Sequence, residues 1–122
     1  MDHFKELTVQ KMRNGILPQL PLQGKWLEDI GFTVGQLVSV IWSDSCLTLT
    51  TDTTVKAHHY GVLIVESKLV RKRPRAQLLL HGFLLKKYGL HVGDRVGLHL
   101  LPNRIQITKI NPTATYQSSM YG

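Results

Sequence analysis

The chain has 122 residues, 43% of them hydrophobic, one cysteine and a formal net charge of +7. Its length allows one ordinary domain or two very small ones packed together, with enough apolar content for a core. No run of 18 apolar residues occurs, which excludes a transmembrane helix, and the lone Cys46 cannot close an internal disulfide, which favours a reducing, cytoplasmic setting.

The charge is unevenly spread. Residues 1–60 hold five Lys/Arg and six Asp/Glu, a balance of −1, whereas residues 61–122 hold ten and two, a balance of +8. A basic half of this kind points to a polyanionic partner and to association with the nucleoid or with RNA.

The opening "MDHFKELTVQ" carries an early acid and has no apolar h-region, so it reads as no secretory signal. "ELTVQ" is a strand candidate, followed by a loop bearing Lys11 and Arg13. In "PQLPLQ", Leu20 and Leu22 alternate with polar or turn residues, as in a strand with one buried face. From Gly24 to Ile30, apolar residues at 26, 27 and 30 form one helical face. Gly31 fits a left-handed position after the helix, with Phe32 packing back onto the last turn. Gly35 turns the chain into two strands, "LVSVIW" and "CLTLT", joined as a hairpin by "SDS". Beyond a connection at 56–61, "YGVLIVESKLV" is a further strand, and the basic run "KLVRKRPR" reads as a projecting loop. A short helix near Phe83–Tyr88 with its cap at Gly89, a turn at Gly93, the strands "RVGLHL" and "RIQIT" around the Pro102-Asn103 turn, and a polar tail from 111 to 122 complete the chain.

The second half repeats the first. Aligned without a gap at an offset of 58, residues 20–50 and 78–108 share nine identities in 31 pairs: Leu20/Leu78, Leu22/Leu80, Gly24/Gly82, Leu27/Leu85, Gly31/Gly89, Val34/Val92, Gly35/Gly93, Val38/Val96 and Thr50/Thr108. Average composition gives about two or three by chance. The expected organisation is a first unit at 1–55, the connection, a second unit at 62–110 and a flexible tail. Each unit is too small to be comfortable alone, so the two are expected to pair, and fusion makes that pairing intramolecular.

The stretch Pro18–Thr50 closely resembles the SymE toxin domain, matching its pattern at Leu20, Leu22, Gly24, Trp26, Leu27, Gly31, Phe32, Gly35, Val38, Val40, Cys46 and Leu47. The second unit matches more weakly, with Leu84 for the Trp and Leu90 for the Phe. The resemblance implies an AbrB/MazE-like fold: mostly β (α+β), two tandem β-β-α-β-β units forming one interlocked swapped-hairpin barrel, a monomeric pseudo-dimer or a homodimer. It also implies a bacterial toxin of a toxin–antitoxin system, held in check by antisense RNA rather than by a protein antitoxin. Two activities follow: nucleic-acid binding (DNA or RNA), or endoribonuclease cleavage of mRNA that arrests translation. Capture by an acidic antitoxin is a third and poorer reading.

The residues favour binding. Lys68, Arg71, Lys72, Arg73 and Arg75 crowd one loop, where like charges repel and do little for a core; the resemblance places nucleic-acid contacts near it. Lys86 and Lys87 stand where the first unit has Glu28 and Asp29, so the second unit is expected to bind polyanion while the first completes the barrel. Lys11 and Arg13 are the first unit's smaller contribution. No catalytic residue can be named. His58 and His59 read as linker, His81 as a cap-region residue and His99 as solvent-facing, and His91 lies in no catalytic spacing. Cys46 reads as a buried structural thiol, and Trp26 and Phe32 as core. No metal-ligand spacing and no phosphate-cradling glycine loop occurs, so no cofactor is expected.

Overall fold

In a computed structural model, the residues described are 3–13, 15–43, 46–52 and 59–110. The tail at 111–122 and residues 56–58 of the connection, His58 among them, lie outside them. The elements are β1 (His3–Thr8), β2 (Gln10–Lys11), β3 (Pro18–Gln23), α1 (Lys25–Asp29), β4 (Leu37–Ser43) and β5 (Cys46–Thr50), then β6 (His59–Ile64), β7 (Glu66–Val70), β8 (Arg73–His81), α2 (Phe83–Lys87), β9 (Arg95–Leu101) and β10 (Arg104–Lys109). β6 thus starts inside the stretch read as connection.

The strands form two antiparallel sheets, one of six in the order β1-β9-β10-β5-β4-β6 and one of four in the order β2-β3-β8-β7. The expected closed barrel is not formed. The reason lies at Val9 and Val65, two buried residues where the chain leaves one sheet for the other. The Val9 N–H donates to the Asp94 carbonyl and its own carbonyl accepts from the Gly93 N–H. Val65 makes the same two bonds with Gln36 and Gly35. β1 and β2, like β6 and β7, are therefore successive pieces of one bent path and not lateral neighbours, so the sheets keep their edges. This bend also splits each of the two upstream strands read from the sequence.

β1 pairs with β9 and β6 with β4, so each half supplies an edge strand to the other half's hairpin. In the four-stranded sheet, Leu20 faces Leu80, Leu22 faces Leu78 and Pro21 faces Leu79. In the six-stranded sheet, Leu47 faces Ile107, Leu49 faces Ile105 and Thr48 faces Gln106. Pro21/Leu79 and Thr48/Gln106 are each 58 residues apart, so both central pairings turn about positions separated by the repeat offset.

Inward-pointing residues of both sheets make one core, including Leu20, Leu22, Leu47, Leu49, Leu78, Leu80, Val96, Leu98, Ile105 and Ile107, with Leu27, Phe32 and Leu85 from the helices and their flanks. Each such side chain contributes about 1.5–3 kcal/mol by leaving water. The helices have only five residues each and depend on their ends. After α1, Gly31 takes φ 105°, its N–H donates to Glu28 and the Phe32 N–H donates to Leu27. After α2, Gly89 takes φ 76°, with the same bonds to Lys86 and Leu85 from Gly89 and Leu90. This is the glycine-capped helix end read from the sequence, with Phe32 fully buried behind it.

Candidate nucleic-acid interface

The basic run at 68–75 is not a loop. β7 and β8 form a regular hairpin with Lys68 opposite Arg75, Leu69 opposite Pro74 and Val70 opposite Arg73. Its turn is the two residues Arg71 and Lys72, at φ 53° and 67°. Successive positive φ values are the signature of a tight hairpin turn that normally carries Asn-Gly, because Cβ-bearing residues are strained there. Two long cationic side chains therefore occupy the tip at a conformational cost. Lys68, Arg71, Lys72 and Arg73 are exposed and Arg75 is half-buried. Lys68 directly opposite Arg75 adds a repulsive cross-strand pair. Among the described residues none of these five joins an ion pair, whereas two other second-half cations do: Arg95 meets Glu6 at 2.6 Å and Lys109 meets Asp94 at 3.3 Å.

The register separates the sequence-derived site residues into two groups. β3 and β8 run antiparallel from Gln19/His81 to Gln23/Gln77. The arm carrying residues 68–75 extends beyond the Gln23/Gln77 end. Lys11, paired with Pro18, and Arg13, in the turn that follows, lie at the Pro18/His81 end. α2 leaves the sheet there as well, since the Gly82 N–H donates to Pro18, and it brings exposed Lys86 and Lys87 to that end. α1 leaves at the arm's end: the Gly24 N–H donates to the Ala76 carbonyl, and a Glu28 carboxylate oxygen accepts from the Ala76 N–H at 3.5 Å. In this five-residue helix Glu28 counts as a first-turn acid, where a carboxylate suits the helix dipole, so the expected electrostatic cost does not arise there.

Between the two ends lies the outer face of the four-stranded sheet, which sequence reasoning missed. A groove of about 590 Å³ runs over it, floored by Gln19, Pro21, Gln23, Gln77 and Leu79 and bounded by Gln10, Lys5 and Lys68. Trp26 stands on its wall. The expectation that Trp26 belongs to the core holds in part: it packs against the core but is only half-buried, with the Lys5 ammonium 5.2 Å from its ring centroid. With apolar residues at 26, 27 and 30 on so short a helix, only Leu27 reaches the core fully. A second groove of about 740 Å³ lies on the other side of Trp26 and Lys5, along Ile30, Leu100 and the Pro102-Asn103 turn, with Asp29 on its wall. The positions 58 residues from Ile30 and Leu100 are Tyr88 and Trp42, whose rings stack at 4.4 Å and fill the corresponding space.

The other candidates fall elsewhere. Cys46 is not buried: β5 turns Leu47 and Leu49 inward, so the thiol is half-exposed on the outer face of the six-stranded sheet, 3.8 Å from the Thr48 hydroxyl. His99 lies on that same outer face, half-covered by the Phe4 ring stacked on it at 4.5 Å. His81 ends β8 and His91 sits in the turn after α2, both exposed. Among the described residues no three His, Cys, Asp or Glu side chains gather as a metal site would require. No described helix is long and apolar enough to cross a membrane.

Residues 4–51 match the family model of the toxin SymE, type I toxin-antitoxin system. The first unit is SymE-like. The match spans β1 to β5, including Trp26 and Lys5, and ends before the β7–β8 arm. No curated protein and no solved structure matches the chain.

Proposed function

We propose that this SymE-like protein is a toxin that acts by binding nucleic acid, DNA or RNA, in the cytoplasm, with control of its synthesis by antisense RNA. Lys68, Arg71, Lys72, Arg73 and Arg75 meet phosphates from the arm, and Lys86, Lys87, Lys11 and Arg13 supply a second set at the opposite end of the sheet. The observation that carries this reading is the arm's tip. Two cations that join no ion pair among the described residues sit at positive φ where Asn-Gly would be more stable, at the end of a hairpin whose residues 66–75 bury no side chain. Strain kept in place by exposed charge is explained by a ligand that needs the charge. We also read residues 1–55 and 62–110 as tandem copies of one unit. The shared 58-residue offset of the two central pairings supports this, and so do the matching glycine caps.

The test is salt-dependent binding of the purified protein to labelled duplex DNA and to single-stranded RNA, with the RNA afterwards run on a denaturing gel. Binding that weakens steeply with salt and leaves RNA intact is the expected result. If all five arm cations neutralise duplex phosphates, they contribute about 4.5 to the slope of log K against log salt. The quadruple variant Arg71→Gln/Lys72→Gln/Arg73→Gln/Arg75→Gln lowers that slope. Absence of binding at low salt overturns the proposal. RNA cut in proportion to wild-type protein, and left intact by the variant, replaces it with the endoribonuclease reading.

A further inference from the structure

We propose that the groove on the outer face of the four-stranded sheet binds a single strand of nucleic acid, with Trp26 as the platform on which a base stacks. The proposal rests on the reading above and adds the form of the ligand. A duplex can be met by the arm alone, but it offers no free base to a shallow groove, whereas a single strand presents both phosphates and unstacked bases.

Three features of the groove fit that ligand together. Its floor carries the amides of Gln19, Gln23 and Gln77, with Gln10 at the edge, all half-buried or exposed and each able to donate and accept hydrogen bonds at a base edge. The Gln77 amide already donates to Gln23 at 3.3 Å across the strands, so the side chains are held over the floor. The cations stand at its margins, Lys5 beside Trp26 and Lys68 at the foot of the arm, where a backbone passing over the floor would meet them. On this face the acid is Glu66, opposite Gln77 at the edge and outside the groove lining. The Lys5 ammonium over the indole occupies the place of a base; a base entering there releases the ammonium to a phosphate. The neighbouring larger groove suits an anionic strand less well because Asp29 lines it.

The groove also belongs to one half of the pseudo-symmetric frame. The counterparts of Trp26 and Lys5, at offsets of 58 and 56, are Leu84 and Gly61, and the counterpart of Gln10 is Glu66. The other half of the sheet therefore has neither the aromatic platform nor the cation, and it has an acid in place of an amide. From His81 to Arg73 the face spans about 27 Å at the usual strand rise. It joins the Lys11 and Lys86 end to the arm, so the groove gives one continuous path between two basic ends that the register otherwise leaves apart.

The experiment compares a short single strand with the same strand made abasic, on wild type and on Trp26→Leu, the residue found at the counterpart position. Wild type is expected to prefer the strand with bases by roughly tenfold, and Trp26→Leu to bind both strands with the abasic affinity. A Trp42→Phe protein, whose remaining indole is Trp26, is expected to lose fluorescence on adding the strand with bases and not the abasic one; this reading does not depend on how Trp26→Leu folds. No base preference in wild type, or a preference that survives Trp26→Leu, overturns the groove while leaving salt-dependent binding by the arm intact. Failure of both strands to bind at low salt overturns the groove, and failure of duplex DNA in the same buffer overturns the parent reading as well.

Discussion

Gly31 and Gly89 cap their helices with the same bonds but stand in different surroundings, and replacing each by alanine separates two costs. At Gly89, φ is 76° and a Cβ would meet nothing within 4 Å, so Gly89→Ala suffers only the penalty of a side chain at positive φ, about 1–2 kcal/mol. At Gly31, φ is 105° and a Cβ would fall on the side-chain oxygen of Asn103. The backbone of that turn is held, so the Asn103 side chain must give way. The Asn103 N–H donates to the Ile30 carbonyl at 2.6 Å, and the Asn103 carbonyl accepts from the Thr51 N–H at 3.1 Å. The side chain can swing aside only by leaving its present rotamer, which adds about 1 kcal/mol, so Gly31→Ala is expected to lose roughly 1 kcal/mol more than Gly89→Ala. Urea unfolding at constant m measures both. Asn103→Gly removes the oxygen at a residue whose own φ of 60° suits glycine, and in that background the excess should vanish. Equal losses for the two alanines, or an excess that survives Asn103→Gly, would refute the argument.

Three other outcomes follow from the same geometry. Arg71→Asn/Lys72→Gly places the favoured residues in the hairpin turn; it should raise stability by about 1–2 kcal/mol. The same change should lower the salt slope on duplex DNA by about 1.8, read by binding titrations. Leu22→Ala and Leu78→Ala should each cost about 2–5 kcal/mol. Because these two face each other, the double variant should lose at least about 0.5 kcal/mol less than the sum in urea unfolding. Glu6→Gln breaks an ion pair whose side chains are 58% and 54% exposed, so it should cost under about 1 kcal/mol, with the difference gone in about 1 M salt.

Much of the fold was legible because the signals were local. Alternating leucines gave β3 and β5, and the glycines gave both helix ends, whereas β8 begins inside the run read as a loop. What escaped was non-local. Nothing in "ELTVQ" announces that the chain changes sheets at Val9, since that bend is fixed by bonds to Asp94 and Gly93, far along the chain. The gapless offset of 58 also hid the relation of β1 to β6. Val9 and Val65 make equivalent bonds and are 56 apart, and His3/His59 and Leu7/Leu63 are identical at that offset. Cys46 was misplaced, and the partial exposure of Trp26 missed, by one rule: apolar neighbours on a short element do not bury every residue, because alternation and helical phase turn some outward. The basic residues were legible as a charge run, but their division between two ends of a sheet was set by the β3/β8 register.

On the proposed reading of the two halves as tandem copies, the change from 56 to 58 has a structural location. Both offsets hold within ordered elements, so the two extra residues of the second half fall between Val65 and Leu78, the segment that builds the β7–β8 arm. In the first half the corresponding hairpin is short, β2 having two residues, and it carries Lys11 and Arg13. In the second the strands continue to Val70 and Arg73, and a strained cationic turn closes them. Lengthening one hairpin by a single residue pair keeps the alternation of faces, so Ala76, Leu78 and Leu80 still point to the core while Arg73 and Arg75 share the outer face with Gln77 and the groove. A change of one residue would have reversed those faces. On that reading the longer, more basic arm leaves the core pairing of Leu20 with Leu80 and Leu22 with Leu78 undisturbed, which is how a charged hairpin can sit beside a buried leucine pair.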